Sequence, residues 1–169
     1  LFLSNGVENP YTFEQEAQDF TILRLPPDLA AQTLLRVRPH PREPIAVLEA
    51  SLRKSGLTYE ISKDRTLASD IAWADLCATP WSTALLESIA CEKACFWINA
   101  RNDRMVRTGE YIDAGLGTLV MRPDEWANII CSILDNPDHA ERHRLHRREL
   151  EETALIPTAD GSDWYQRLL

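Results

Sequence analysis

From residue 34 onward the chain alternates short apolar runs with amphipathic segments, the pattern of a parallel sheet covered by helices. Residues 34–38 read as a strand. Residues 45–54 read as a helix, with Ile45, Leu48 and Leu52 on one face and Gly56 as its stop. A second strand is expected over 57–61, a short helix over 66–73, and a third strand over 75–78. A helix over 82–90 and a fourth strand over 94–98 follow. After a polar loop of about twenty residues, long for a compact domain, come a short strand over 119–121 and a helix opened by PDEW. Pro123 and two acids in its first turn suit a helix N-terminus. That helix runs to about Leu134, a charged helix spans 137–152, and 163–169 closes the chain. The first 33 residues are an N-terminal strand at LFLSN, a helix over 13–20 and an irregular piece around Pro26-Pro27, all of the same domain.

This order of elements predicts a doubly wound α/β domain. In such sheets ligands bind outside the carboxyl ends of the strands. Three loops therefore stand out: those after Arg38, after Ala78 and after Ile98.

Composition narrows the classes. Of 169 residues, 44% are hydrophobic and 26% charged, as in ordinary globular chains. No apolar run reaches the roughly 20 residues of a membrane span. The formal net charge of -8, from 18 basic against 26 acidic residues, argues against nucleic acid as a partner. Inside this acidic chain Arg36, Arg38 and Arg42 form a local basic cluster. The four cysteines are in apolar segments without a CxxC pair and read as buried free thiols of a reducing, cytoplasmic setting. The chain opens on LFLSNG without an initiator methionine, as part of a longer protein would.

Two loops carry chemistry. In PHPREP, proline on each side of His40 holds it extended and presents its ring. Histidine donates to phosphate oxygens, and Arg38 and Arg42 suit bidentate contacts to the same anion. The same loop also reads as a plain connection whose histidine caps the following helix. In ATPWSTALLE, Thr79, Ser82 and Thr83 crowd a helix start, where hydroxyls and free backbone N–H groups favour an anion. Glu87, one turn further, is placed to accept ribose hydroxyls. Read plainly, Ser82 or Thr83 is a cap and Glu87 a solvent-facing acid.

RPHPRE after a strand, followed by ADLCATPWSTALLESIACEKACFWIN, resembles the C-terminal donor-binding domain of GT-B glycosyltransferases. It is most similar to bacterial surface-polysaccharide enzymes: sialyl- and polysialyltransferases, capsule Kdo transferases and teichoic-acid glycerophosphotransferases. The resemblance covers residues 34–100, with a weaker echo beyond. It implies a Rossmann-like domain over 34–169, one half of a GT-B architecture whose N-terminal acceptor domain and general base lie elsewhere. It further implies that His40, the catalytic residue here, holds the donor phosphate together with Ser82 and Thr83, and that Glu87 meets the ribose. The expected partners are a nucleotide-sugar donor, CMP- or CDP-linked, and a saccharide acceptor, with no separate cofactor. The expected setting is the cytoplasm, at the inner face of the membrane through the N-terminal half. Alone, the domain is expected to bind nucleotide without turnover. The chain departs from the pattern at Pro80-Trp81, where relatives carry Gly or Ser, and at Cys91-Glu92-Lys93, where a glycine is common.

Two other readings stay open. A sugar-nucleotide epimerase shares the architecture and would draw its catalytic acids from Asp103 and Glu110. A noncatalytic α/β module would be indifferent to His40. His139, His143 and His146 share a helix face, but the arginines crowding them favour a solvated helix over a metal site. Arg101, Arg104 and Arg107 are in a loop on the ligand side.

Overall fold

The computed structural model describes residues 1–5, 13–101, 106–113 and 115–136. Six parallel strands form one sheet in the order β3-β2-β1-β4-β5-β6. They are β1 (Phe2–Leu3), β2 (Arg36–Arg38), β3 (Glu60–Ile61), β4 (Leu76–Thr79), β5 (Ala94–Ile98) and β6 (Thr118–Val120). The helices are α1 (Phe13–Ile22), α2 (Pro27–Ala30), α3 (Ile45–Ser55), α4 (Leu67–Trp73), α5 (Ala84–Ala90), α6 (Val106–Asp113) and α7 (Pro123–Leu134).

Strand alternation builds two cores, one on each sheet face. Phe2, Val37, Ala78, Phe96, Ile98 and Val120 turn to the face covered by α1, α3 and α7, where Phe20, Leu48, Leu52 and Trp126 meet them. Leu3, Cys77, Cys95 and Trp97 turn to the other, against Ile71 of α4, Leu85 of α5 and Tyr111 of α6. A parallel sheet covered on both faces is the doubly wound fold the pattern predicted. The short β1 is central: it pairs with β2 on one side and β4 on the other. The direction of strand progression reverses between β1 and β4, so the switch point lies there.

Local chemistry explains the ends. Thr66 caps α4, its hydroxyl accepting the Ser69 N–H at 3.1 Å. Gly56 ends α3 in the left-handed region. Glu125 accepts the N–H groups of Met121 and Arg122 at the start of α7. Three expectations need correction. Ile45 does not share the buried face of Leu48 and Leu52; it is 42% exposed at the first turn of α3, before the helix reaches the sheet. The polar loop after β5 contains α6, anchored because Tyr111 stacks on Trp97 with ring centroids 5.5 Å apart. Pro26-Pro27 starts a helix instead of breaking one, with Pro27 in the first turn of α2 where no amide hydrogen is needed. The helix expected over 137–152 and the closing segment 163–169 lie outside the described residues.

Candidate functional site at the carboxyl edge of the sheet

The strands β2, β1 and β4 deliver three loops to one edge. Because β1 separates β2 from β4, the loops after those two strands start about 10 Å apart, two strand spacings.

The loop after β2 is a tight turn. The Glu43 N–H donates to the His40 carbonyl at 2.9 Å, and the His40 N–H returns to Glu43 Oε2 at 3.3 Å. His40 Nδ1 accepts the Arg42 N–H at 3.3 Å. With Nδ1 engaged as acceptor, a neutral ring carries its hydrogen on Nε2. His40 is half-buried and Arg42 exposed. The histidine does not cap α3, whose N-cap is Pro44.

The arginines divide. Alternation puts Arg36 and Arg38 on the α4 face, opposite Val37. Arg36 is buried; its guanidinium lies 3.5 Å over the Trp73 ring and bonds Glu60 and Asp70. Arg38 bonds Asp70 at 2.7 Å and the Arg65 carbonyl at 3.0 Å. Asp70, fully buried, thus holds both. The cluster read as a phosphate clamp therefore does not converge: Arg36 is structural, and Arg38 is partly committed to Asp70. Arg38 remains near enough to Glu87 to act on it. Burial pushes the half-buried Glu87 carboxyl up, and the Arg38 charge opposes that rise.

In the loop after β4, Thr79 is fully buried. Its hydroxyl lies 2.7 Å from the Leu3 carbonyl and 3.2 Å from Asn5 Oδ1, and it accepts the Ser82 N–H at 3.0 Å. It ties β4 to the end of β1 instead of facing a ligand. Ser82 Oγ accepts the Ala84 N–H at 3.3 Å. Thr83 is exposed and makes no capping bond. Glu92 takes φ 55°, a left-handed conformation natural to glycine.

Several groups at this edge carry no motif in the sequence. Asn5, at the switch point, is buried; Thr79 holds its Oδ1, while its Nδ2 has no hydrogen-bond partner among the described residues. Ser4 Oγ lies 2.8 Å from Glu16 Oε1 and 2.7 Å from Glu43 Oε2, and all three residues are buried. Burial first, and then the Glu43 charge, push the Glu16 carboxyl up to about 7. Asp19, one turn along α1, accepts the Ala100 N–H at 3.1 Å and pairs with Arg101 after β5. The available signal was helical spacing: Glu16 stands four residues before Phe20, on the stripe that faces the core. Asp103 lies outside the described residues, as do the histidines at 139, 143 and 146 and the other loop arginine, Arg104.

A hollow of about 360 Å³ opens at the opposite edge, among Leu1, Leu23, Leu35, Leu57 and Ile133. It lies beside the amino ends of the strands, away from the converging polar groups, and is not the candidate site. Among the described residues no helix is long and apolar enough to cross a membrane.

Fold and site together define a doubly wound α/β domain with buried polar groups gathered at its topological switch point. Neither the protein-family models nor the curated proteins include a match to this chain.

Proposed function

We propose that this domain holds the nucleotide-sugar donor of a GT-B glycosyltransferase of bacterial surface-polysaccharide synthesis, working with an acceptor domain that supplies the general base. The observation that carries the reading is the convergence of donors at one edge. His40 offers Nε2–H after β2, Asn5 Nδ2 after β1 has no hydrogen-bond partner among the described residues, and Thr83 after β4 makes no side-chain cap bond. A phosphate group accepts from all three kinds of donor. Glu87, beside Arg38, is the acceptor for ribose hydroxyls. During transfer His40 stabilises the leaving nucleotide phosphate by electrostatics and by donation of its proton. Free thiols agree with a cytoplasmic setting.

The test is calorimetry of the domain against CMP, CDP, UDP and GDP, repeated with His40→Ala. One nucleotide is expected to bind, weakened by about 1–3 kcal/mol in the variant, as for one lost charge-assisted bond. Nucleotide binding indifferent to His40 would overturn the role given to the histidine.

A further inference from the structure

Ser4 carries one hydroxyl hydrogen, yet its oxygen stands within hydrogen-bond distance of two buried carboxyl groups, Glu16 at 2.8 Å and Glu43 at 2.7 Å. The hydroxyl serves one of them as donor. The other contact, oxygen to oxygen, needs a hydrogen from the carboxyl itself. Geometry therefore calls for one proton on the pair. Two buried carboxylates at this separation without it would repel each other across a medium that screens them poorly.

We propose that Glu16 and Glu43, joined through Ser4 and one shared proton, are a positioning pair that holds the His40 turn against the end of β1. Glu43 is the link. Its carboxyl takes the His40 N–H and its own N–H closes on the His40 carbonyl, so moving Glu43 moves His40. When the proton leaves, one carboxylate is driven toward water. Glu16 is fixed on α1 and fully buried, whereas Glu43 is in the turn and 7% exposed, so Glu43 is the one that shifts. The direction follows: the turn is held at acidic to neutral pH and released as pH rises through about 7, where burial and Glu43 have pushed the Glu16 carboxyl.

Among the described residues, the groups that face this pair from the neighbouring elements are neutral, apolar or engaged elsewhere. Ser51 of α3 faces it and is neutral. On α1, Asp19 is engaged by Arg101 and the Ala100 N–H. The α7 residues packed in the same core are the apolar Trp126 and Ile130. His40 and Arg42 share the turn, and both are present unchanged in the proteins compared below.

The test is a pair of NMR titrations from pH 5 to 9, of the wild-type chain and of Glu16→Gln, following glutamate side-chain carboxyl carbons and the backbone amides of residues 40–43. The variant's amide side chain keeps a neutral partner for Ser4 and cannot ionise, while His40 is present in both proteins. Expected is one carboxyl inflection near 7 in the wild type, shared by the turn amides, and its loss in the variant. Identical amide titrations in the two proteins overturn the proposal. Should Glu16→Gln fail to fold, Glu43→Gln removes the other carboxyl and must move the inflection to lower pH, because the Glu43 charge no longer raises Glu16; an unmoved inflection overturns the proposal.

The ligand consequence rests on the donor reading. Between pH 6 and 8.5, nucleotide affinity of the wild type is expected to fall roughly tenfold more than that of Glu16→Gln, the worth of one misplaced hydrogen bond. If the amides respond but no nucleotide binds, the donor reading fails and the positioning pair stands.

Discussion

Replacing Asp70 by Asn is the sharpest test of how β2 is held. The carboxylate is fully buried and takes Arg38 Nη1 at 2.7 Å, Ser62 Oγ at 2.5 Å and Arg36 Nη1 at 3.4 Å. Asn keeps the shape, removes the charge and turns an NH₂ group toward cationic donors. Removing one partner of a buried ion pair costs about 3–5 kcal/mol, because the other charge is left behind. Here two escapes lower the figure. Arg36 retains Glu60 and the Trp73 ring. Arg38, with its side chain 26% exposed, can turn toward water. The expected loss is therefore near the lower end, about 3 kcal/mol, a large share of the roughly 5–15 kcal/mol typical of a domain. Urea unfolding followed by tryptophan fluorescence, with Trp73 beside the network, measures it at two ionic strengths. A buried pair responds little to salt. A loss below about 1 kcal/mol, or one that vanishes in salt, is the behaviour of an exposed pair and refutes the reasoning. Arg38→Met in the same background identifies the stranded charge. The double variant should lose less than the sum of the singles, and additivity would acquit Arg38.

Three further outcomes follow from the packing. Glu16→Gln should stabilise the domain above pH 7 by up to about 3 kcal/mol, the worth of the interval from 4.5 to about 7. The sign follows from the native carboxyl keeping a proton that the unfolded chain releases near 4.5: wild-type stability falls as pH rises from 4.5 to about 7, then levels, and the variant lacks that fall. Equal urea midpoints of the two proteins at pH 8 would refute it. Gly117→Ala should cost about 2–4 kcal/mol, read as a lower melting temperature. Its φ is +96°, and a Cβ would stand 2.9 Å from Trp97 Nε1 and 3.1 Å from the Cys95 carbonyl. Glu92→Gly should gain up to about 1 kcal/mol by relieving a left-handed glutamate; a loss on melting would show that the Glu92 side chain contributes more than its backbone costs.

How much of this was legible in the sequence depended on what set each feature. The strand Ala94–Ile98 and the helix Ile45–Ser55 follow from local periodicity and a glycine stop, and both appear within a residue or so of where the pattern puts them. The sheet order and the site edge follow from the alternation of elements. The misplaced features were those set by partners far along the chain. Arg36 and Arg38 resemble a phosphate clamp with Arg42 because they are close in sequence. A strand sends residues two apart to one face, and on that face Asp70, 32 residues beyond Arg38, was waiting. Helix α6 was hidden because a stack of Tyr111 on Trp97, not helical propensity, anchors a segment interrupted by Gly109.

The buried acids make the deeper case. In FEQEAQDF a polar residue at a core-facing position reads as an interruption of the apolar stripe, and an interruption is easily discounted. Physically it is the opposite of noise. A carboxyl that stays buried needs partners, and those partners must come from other loops. Glu16 finds Ser4 and Glu43 from the ends of β1 and β2, and Asp19 finds Ala100 and Arg101 from the end of β5. Two acids on one helix therefore gather the carboxyl-edge loops of three strands. A polar residue on the apolar stripe of a helix that covers a parallel sheet is a pointer to the loops it fastens, and in this chain it points at the turn that presents His40.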